Sequence, residues 1–186
     1  MSALTTANQL TLLRMLLIPV FAILVIYGYL GSALAVFVTA GLTDLLDGLI
    51  ARRAGQKTTL GAWLDPMADK LLLVTTFVVL TLPLAHLANR IPLWLTVLVI
   101  SRDVGIVATV AIVNLAVGRR TFAPSVWGKI ATGTYIVTGV VTLYFNFLAR
   151  PSMLVDVAVY ASLGATLVSG LHYIWRAARL HGTPAA

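Results

Sequence analysis

Residues 44–69 of this 186-residue chain read DLLDGLIARRAGQKTTLGAWLDPMAD, and they hold four of its six acidic residues. Two apolar segments overlap this stretch, one at its start over residues 33–52 and one at its end over residues 64–84. A helix needs about 20 apolar residues to cross a bilayer core. The stretch therefore predicts two antiparallel membrane helices joined by a short basic loop, with four aspartates just inside the membrane.

The rest of the chain has the same character. Hydrophobic residues make up 60% of it and charged residues 10%, whereas soluble domains average about 45–50% and 25%. Six segments are long and apolar enough to cross a membrane, namely 11–30, 33–52, 64–84, 91–116, 129–148 and 153–176. We predict an all-α polytopic membrane protein with six transmembrane helices, formed by one domain over residues 1–186, and with a short interfacial segment at residues 2–10.

The basic residues predict which side of the membrane each loop faces, because cytoplasmic loops carry an excess of Lys and Arg. Six spans place both termini on one side, together with Arg14, Arg52, Arg53, Lys57, Arg119, Arg120, Lys129, Arg176 and Arg179. The opposite loops hold Arg90 and Arg150. We therefore expect cytoplasmic termini and, in a bacterium, an inner-membrane location. This basic face explains the net charge of +7, so nucleic acid is not an expected partner.

The four clustered aspartates predict a divalent-metal site. Asp44 and Asp47 lie one helical turn apart, and Asp65 and Asp69 are separated by four residues, so each pair shares a helix face. Carboxylates this close repel one another unless cations neutralise them, and acids inside a membrane usually mark function. Oxygen ligands with no Cys in the chain and no His nearby suit Mg²⁺, Mn²⁺ or Ca²⁺. Four acids can hold two ions, which clamp a phosphate undergoing displacement.

A structural interpretation of the acids is also open, in which each aspartate pairs with a cation from the set Arg52, Arg53, Lys57 and Lys70. Small residues beside the acids leave room for a ligand. Gly48 and Ala51 share the face of the first aspartate pair, and Gly61 lets a ligand approach the backbone closely, although close helix packing explains such residues equally well. Arg52 can bind a phosphate with two parallel hydrogen bonds.

In order, these residues form the pattern Asp44-x2-Asp47-Gly48-x2-Ala51-Arg52-x8-Gly61-x3-Asp65-x3-Asp69. The pattern resembles, at every position and gap, the signature of the CDP-alcohol phosphatidyltransferase family, whose members carry it across the second and third of six spans. The resemblance implies an enzyme of phospholipid biosynthesis that transfers a phosphatidyl group from CDP-diacylglycerol to an alcohol and releases CMP. It further implies contact with membrane lipids and a homodimer.

The resemblance also implies a role for each signature residue. Asp44, Asp47 and Asp65 would bind two metal ions, either Mg²⁺ or Mn²⁺. Asp69 would complete the metal site and act as the base on the acceptor hydroxyl. The cytidine diphosphate portion of the donor would be held by Gly48, Ala51, Arg52 and Gly61.

Two further stretches resemble the glycerol-phosphate and cardiolipin branches of that family, Asn8-x2-Thr11-x2-Arg14 and GAWLDPMADK at residues 61–70. Phosphatidylglycerophosphate synthases usually carry a cation two turns beyond the position of Arg102, and this chain has none there. Glycerol 3-phosphate is a dianion and needs cations, whereas phosphatidylglycerol needs fewer. We therefore expect phosphatidylglycerol as the acceptor, which yields cardiolipin, and glycerol 3-phosphate is the alternative.

Three cations are candidates for contact with the acceptor: Arg102, Lys129 and Arg176. The triplet Ser101-Arg102-Asp103 resembles a motif of eukaryotic-type cardiolipin synthases. Adjacent residues point apart on a helix, so we expect Arg102 and Asp103 each to pair with another span, and such an ion pair is the alternative to acceptor binding. For Lys129 and Arg176 the alternative is snorkelling to the membrane interface.

The competing function is that of a non-enzymatic cation transporter with a carboxylate-lined path. It would explain the acids but not the spacing Ala51-Arg52-x8-Gly61. The sequence also lacks the inverted repeats or paired broken helices that many transporters have. The sequence therefore favours an enzyme.

Overall fold

A computed structural model of the protein describes residues 6–54, 59–117 and 125–180, and it describes the side chains of residues 11–43, 67–109 and 125–175. Within these ranges the chain forms six α-helices and no strand, which confirms the predicted all-α fold. The helices are α1 Thr6–Ile26, α2 Leu30–Ala54, α3 Thr59–Thr81, α4 Leu93–Val117, α5 Val126–Phe147 and α6 Met153–Leu180.

The helices extend beyond the predicted apolar segments at their polar ends. α1 begins at Thr6, so residues 6–10 of the predicted interfacial segment are helical. α2 continues to Ala54 and α3 begins at Thr59, although the predicted segments end at 52 and begin at 64. The prediction followed hydropathy, whereas a helix continues through polar residues as long as its backbone hydrogen bonds form, and Ala, Arg and Gln favour helices.

Two other helix ends follow from single residues. α3 ends at Thr81, ahead of Pro83, because a proline disfavours helical conformation in the residue before it. α5 begins at Val126, three residues before the predicted segment. The reason is a cap, since the Ser125 Oγ accepts a hydrogen bond from the Gly128 N–H at 3.0 Å.

Two helices meet the length and hydropathy requirements for a membrane span within the part of the chain whose side chains are described, namely Val126–Phe147 and Met153–Trp175. Shorter apolar helical stretches occupy Thr11–Ile26 and Leu30–Thr43. Leu16, Val97 and Ile174 are each more than half exposed, as on a surface that contacts lipid. The six helices equal the predicted spans in number, and the crossing of the membrane by all six stays a prediction.

The chain divides into two compact units, and the boundary falls within α5. Unit 1 comprises Met1–Arg90 and Gly139–Ser152, and unit 2 comprises Ile91–Thr138 and Met153–Ala186. In unit 1, α1 packs against both α2 and α3. The buried rings of Phe21 and Phe37 lie 5.7 Å apart between centroids. A Cβ on Gly139 would lie 3.2 Å from both Phe37 and Thr76, so glycine allows α5 to approach these helices closely.

Two buried asparagines connect the loop before α4 to the turn after α5 in unit 1. The Asn89 N–H donates to Asn146 Oδ1 at 2.7 Å, and Asn146 Nδ2 donates to the Asn89 carbonyl at 2.9 Å. Asn89 Nδ2 also donates to the Arg150 carbonyl, and the Ser152 N–H donates to Asn89 Oδ1. These bonds satisfy backbone groups that lie outside the helices, where leaving them unpaired would cost free energy.

Within unit 2, hydrogen bonds between polar side chains hold α5 and α6 together. The Tyr135 hydroxyl lies 2.6 Å from Thr166 Oγ1, and Thr138 Oγ1 lies 2.8 Å from Ser162 Oγ. Such pairs are a common contact between membrane helices.

The helices α4 and α6 also pack together in unit 2. The rings of Trp94 and Tyr160 are 6.5 Å apart, and further along both helices Arg102 donates a hydrogen bond to Ser169. The contacts advance along both helices in the same order, so α4 and α6 run parallel. Alternating membrane crossings would give the fourth and sixth helices this common direction.

Candidate functional site

The eight signature residues lie toward the ends of α2 and α3 that border the connecting segment. Asp44 is ten residues before the end of α2, and Asp69 is ten residues after the start of α3. At 1.5 Å per residue, both positions are about 15 Å along their helices from this segment. The helix bounds are thus compatible with aspartates at one depth. The side chains of Asp44, Asp47, Gly48, Ala51, Arg52, Gly61 and Asp65 lie outside the described residues, so their convergence stays a prediction.

Asp69 is the signature residue whose side chain the structure describes, and it pairs with Arg14 of α1. Arg14 Nη1 donates to Asp69 Oδ1 at 2.8 Å, and the side chains are 0% and 39% exposed, respectively. A buried guanidinium is costly unless it is paired and hydrogen-bonded. The contact therefore connects a fully buried cation to a carboxylate that remains partly accessible, and it holds one signature aspartate against α1.

Arg14 is buried within unit 1, whereas the charge count treated it only as part of the basic cytoplasmic face; the side of the membrane on which it lies stays a prediction. Thr11, Arg14, Ile18, Phe21 and Val25 are all buried, and their spacing of three and four residues defines the inner face of α1. The sequence could have predicted this burial, because the three- and four-residue spacing places Arg14 on the same helix face as the apolar residues that pack inward. Counting charges by loop overlooked it. The structure thus adds Arg14 to the candidate site.

The described part of the site fits a divalent cation in its donor chemistry. Asp69 supplies a carboxylate that is partly exposed while Arg14 contacts one of its oxygens. Carboxylate oxygen is the ligand type that Mg²⁺ and Mn²⁺ prefer. Among the residues with described side chains, no three His, Cys, Asp or Glu residues converge, and the other three signature aspartates fall outside that set.

Arg102 pairs differently from the prediction. Its Nη1 lies 2.6 Å from Oδ1 of the adjacent Asp103, and its Nη2 donates to Ser169 Oγ of α6. The expectation that neighbours on a helix cannot pair was wrong, because the long arginine side chain can fold back along the helix and bring its guanidinium to the next carboxylate. A partner on another helix does exist, but it is a neutral hydroxyl.

The first turn of α5 lies beside the Arg102 guanidinium in unit 2. A Cβ built on Gly128 would be 3.4 Å from Arg102 Nη2, and the next residue is the exposed Lys129. The structure therefore brings together the neighbourhoods of two candidate acceptor contacts. Arg176, the third, lies in the last turns of α6, and its side chain is outside the described residues.

Comparison with known proteins is consistent with these features. Residues 4–168 match the sequence model of the family described as CDP-alcohol phosphatidyltransferase. A probable phosphatidylglycerophosphate synthase of Mycobacterium tuberculosis is 36% identical over 182 residues, covering 93% of this chain and 81% of that protein. A CDP-diacylglycerol–glycerol-3-phosphate 3-phosphatidyltransferase of Bacillus subtilis is 30% identical over 186 residues, covering 89% of this chain and 91% of that protein.

A human cardiolipin synthase (CMP-forming) is 48% identical over 107 residues, covering 57% of this chain and 34% of that protein. Relatives named as phosphatidylglycerophosphate synthase and as cardiolipin synthase therefore both resemble the chain. With the family match extending over most of the sequence, the chain belongs to the CDP-alcohol phosphatidyltransferase family and is an enzyme of phospholipid biosynthesis.

Proposed function

We propose that the protein transfers the phosphatidyl group of CDP-diacylglycerol to the hydroxyl of a glycerol-type alcohol, with phosphatidylglycerol as the preferred acceptor and cardiolipin as the product. The observation that carries the proposal is the contact between Arg14 and Asp69, at 2.8 Å. It holds the last signature aspartate at a defined place on α3 while leaving its carboxylate partly accessible, as a base on a substrate hydroxyl requires.

The reaction exchanges one phosphoester bond for another. The acceptor oxygen forms a bond to the phosphorus of the phosphatidyl group, and the bond from that phosphorus to the bridging oxygen of CMP breaks, so CMP leaves with the electron pair. Asp69 takes the proton from the acceptor hydroxyl, and Arg14 keeps the carboxylate oriented toward it. Gly48, Ala51, Arg52 and Gly61 hold the cytidine diphosphate portion.

Asp44, Asp47, Asp65 and Asp69 would hold two divalent cations, Mg²⁺ or Mn²⁺. When bound, such ions offset charge on the pyrophosphate and on the departing CMP. Arg52 adds a guanidinium that can hold a phosphate with two hydrogen bonds. We further propose that this site lies on the cytoplasmic side of a six-span domain with both termini cytoplasmic, and that the protein is a homodimer.

The choice of phosphatidylglycerol is supported by the surroundings of Arg102. Its positive charge is already paired with Asp103 at 2.6 Å, and no cation follows two turns later in α4. A small dianion would therefore find little unpaired positive charge on this helix. A lipid acceptor would instead be retained by its acyl chains, since each buried methylene contributes about 0.8 kcal/mol.

Glycerol 3-phosphate is the second candidate acceptor. It is favoured by the similarity along nearly the whole chain to the Mycobacterium tuberculosis and Bacillus subtilis proteins, whose names specify phosphatidylglycerophosphate or glycerol 3-phosphate chemistry. For this acceptor, Lys129 and Arg176 would supply the charge that binds the phosphate.

The test is product analysis with purified protein in vesicles. CDP-diacylglycerol is supplied with phosphatidylglycerol, glycerol 3-phosphate or inositol, in Mg²⁺, in Mn²⁺ or in EDTA, and the lipids are identified by mass spectrometry. We expect CMP and cardiolipin with either metal and no product in EDTA. Phosphatidylglycerophosphate without cardiolipin would move the assignment to the second acceptor, and CMP release in EDTA at the full rate would refute the metal role.

A further inference from the structure

A cavity of about 550 Å³ lies between α4 and α6 in unit 2. It is lined along α4 from Trp94 to Thr109 and along α6 from Thr166 to Ile174. The positions on α4 span 15 residues, or about 22 Å of helix, so the cavity is elongated. Most lining side chains are aliphatic or aromatic, and its volume falls in the range of about 300–1,000 Å³ that is typical of ligand pockets.

Two glycines contribute to this hollow. A Cβ added to Gly105 or to Gly170 would meet no atom within 4 Å, and both residues line the cavity. One lies on each helix, so the space between α4 and α6 is open on both sides at their level. A larger side chain at either position would therefore extend into the cavity without a collision at its first carbon.

Arg102 is the charged residue in this lining. Its Nη1 and Nη2 are hydrogen-bonded to Asp103 and Ser169, whereas its Nε is buried and has no hydrogen-bond partner in the part of the chain that is described. A buried donor without a partner is unfavourable, and an oxygen atom of a ligand in the cavity would satisfy it.

The surroundings of Arg102 favour an anion. The guanidinium lies beside Gly128 in the first turn of α5, and the amino end of a helix carries partial positive charge. The exposed Lys129 follows in the same turn. The Asp103 carboxylate offsets most of the Arg102 charge, so the cavity combines a long apolar wall with the Nε donor of Arg102 and the positively charged start of α5. This suits a phospholipid with an acyl chain and a singly charged phosphate better than it suits a small dianion.

We propose that the cavity between α4 and α6 binds the phosphatidylglycerol acceptor, with one acyl chain along the apolar wall toward Trp94 and its phosphate at Arg102 and the start of α5. This inference rests on the proposed function. The occupant is the acceptor because the CDP-binding signature belongs to unit 1, whereas the cavity and the three candidate acceptor cations, Arg102, Lys129 and Arg176, belong to unit 2.

The test compares variants whose new side chain occupies the cavity with control variants in which the same substitution lies elsewhere in unit 2. Gly170→Leu and Gly105→Leu introduce a side chain into it. Gly164→Leu and Gly133→Leu are the controls, because a Cβ at these positions also meets nothing within 4 Å and neither residue lines the cavity. Each protein is placed in vesicles and irradiated with phosphatidylglycerol that carries a photoreactive group on its acyl chain. Peptides are then mapped by mass spectrometry, and CMP release is measured in parallel.

We expect labelling within residues 94–109 and 166–174 of the unaltered protein and of the controls, and its loss in the cavity-filling variants. The KM for phosphatidylglycerol should rise roughly tenfold in these variants, because excluding about two methylenes costs such a factor. Equal labelling in Gly170→Leu and Gly164→Leu would overturn the proposal. Equally efficient labelling by a photoreactive diacylglycerol, which has no phosphate, would overturn it as well.

Failure of the proposed function would give a different experimental result. In that case the unaltered protein would release no CMP from CDP-diacylglycerol with any alcohol, whatever the labelling pattern. If the reaction proceeds but photoreactive CDP-diacylglycerol labels the cavity in place of phosphatidylglycerol, the reaction stands and the acceptor assignment of the cavity is wrong.

Discussion

Replacing Arg14 tests whether the buried cation of α1 serves the reaction or only the fold. Arg14→Met keeps most of the buried length but removes the hydrogen bond to Asp69 Oδ1, which is 2.8 Å long. Arg14→Lys keeps the charge but lacks the planar guanidinium that can hold a carboxylate through several donors. If Arg14 positions Asp69, the methionine variant should lose more activity than the lysine variant.

The magnitude follows from the burial of the two partners. A hydrogen bond to a charged group contributes about 1.5–3 kcal/mol, and the value is reduced here because Asp69 is 39% exposed and solvent screens it. About 1–2 kcal/mol therefore remains. If this free energy is lost in the transition state, kcat falls roughly 5- to 30-fold in Arg14→Met.

The assay is steady-state CMP release in vesicles, with KM for CDP-diacylglycerol, thermal unfolding and the Mn²⁺ dependence measured on each variant. Arg90→Met is the matched control, because Arg90 is an exposed cation of the same unit, and its kcat should not change. If Arg14→Met lowers the unfolding temperature while kcat per folded molecule equals that of the unaltered protein, Arg14 is structural only and the positioning argument fails.

Three further predictions concern the base, the topology and the loop contacts. Asp69→Asn should lower turnover by about 10²–10⁴-fold while nucleotide binding, measured by titration calorimetry, is largely retained; loss of binding without a separate loss of turnover would make Asp69 chiefly a ligand. Cysteines that replace Lys57 and Thr121 should react with membrane-impermeant reagents only from the cytoplasm, and a cysteine that replaces Ala88 should react only from outside. Labelling of the cysteines at positions 57 and 88 from the same side would contradict the six-span topology. Asn146→Ala removes two buried hydrogen bonds and should cost about 2 kcal/mol, seen as a lower unfolding temperature; an unchanged temperature would show that these bonds add no net stability.

Part of the site was predictable because it depends on spacing within single helices. The separation of Asp65 from Asp69 places both on one helix face whatever else the chain does, and both positions do lie within α3. The same holds for Asp44 and Asp47 in α2. The convergence of the two pairs depends on packing between helices, so helical spacing alone could predict it only by assuming that the helices are neighbours.

The Arg102 prediction was wrong because it used backbone geometry for a long side chain. The Cβ atoms of residues 102 and 103 do point apart, but the arginine guanidinium extends several bonds beyond its Cβ and reaches the Asp103 carboxylate. The contact with Ser169, 67 residues away in sequence, required α6 to lie beside α4. No local pattern contained that information.

The sequence by itself determined the all-α class, the positions of the six helices to within a few residues and the spacing of the signature, because hydropathy and helical period act over neighbouring residues. Tertiary structure alone decided that Arg14 meets Asp69, 55 residues along the chain, and that a cavity opens where Gly105 and Gly170 lie on adjacent helices. Such contacts arise when helices pack, because packing joins side chains whose separation along the chain carries no periodic signal.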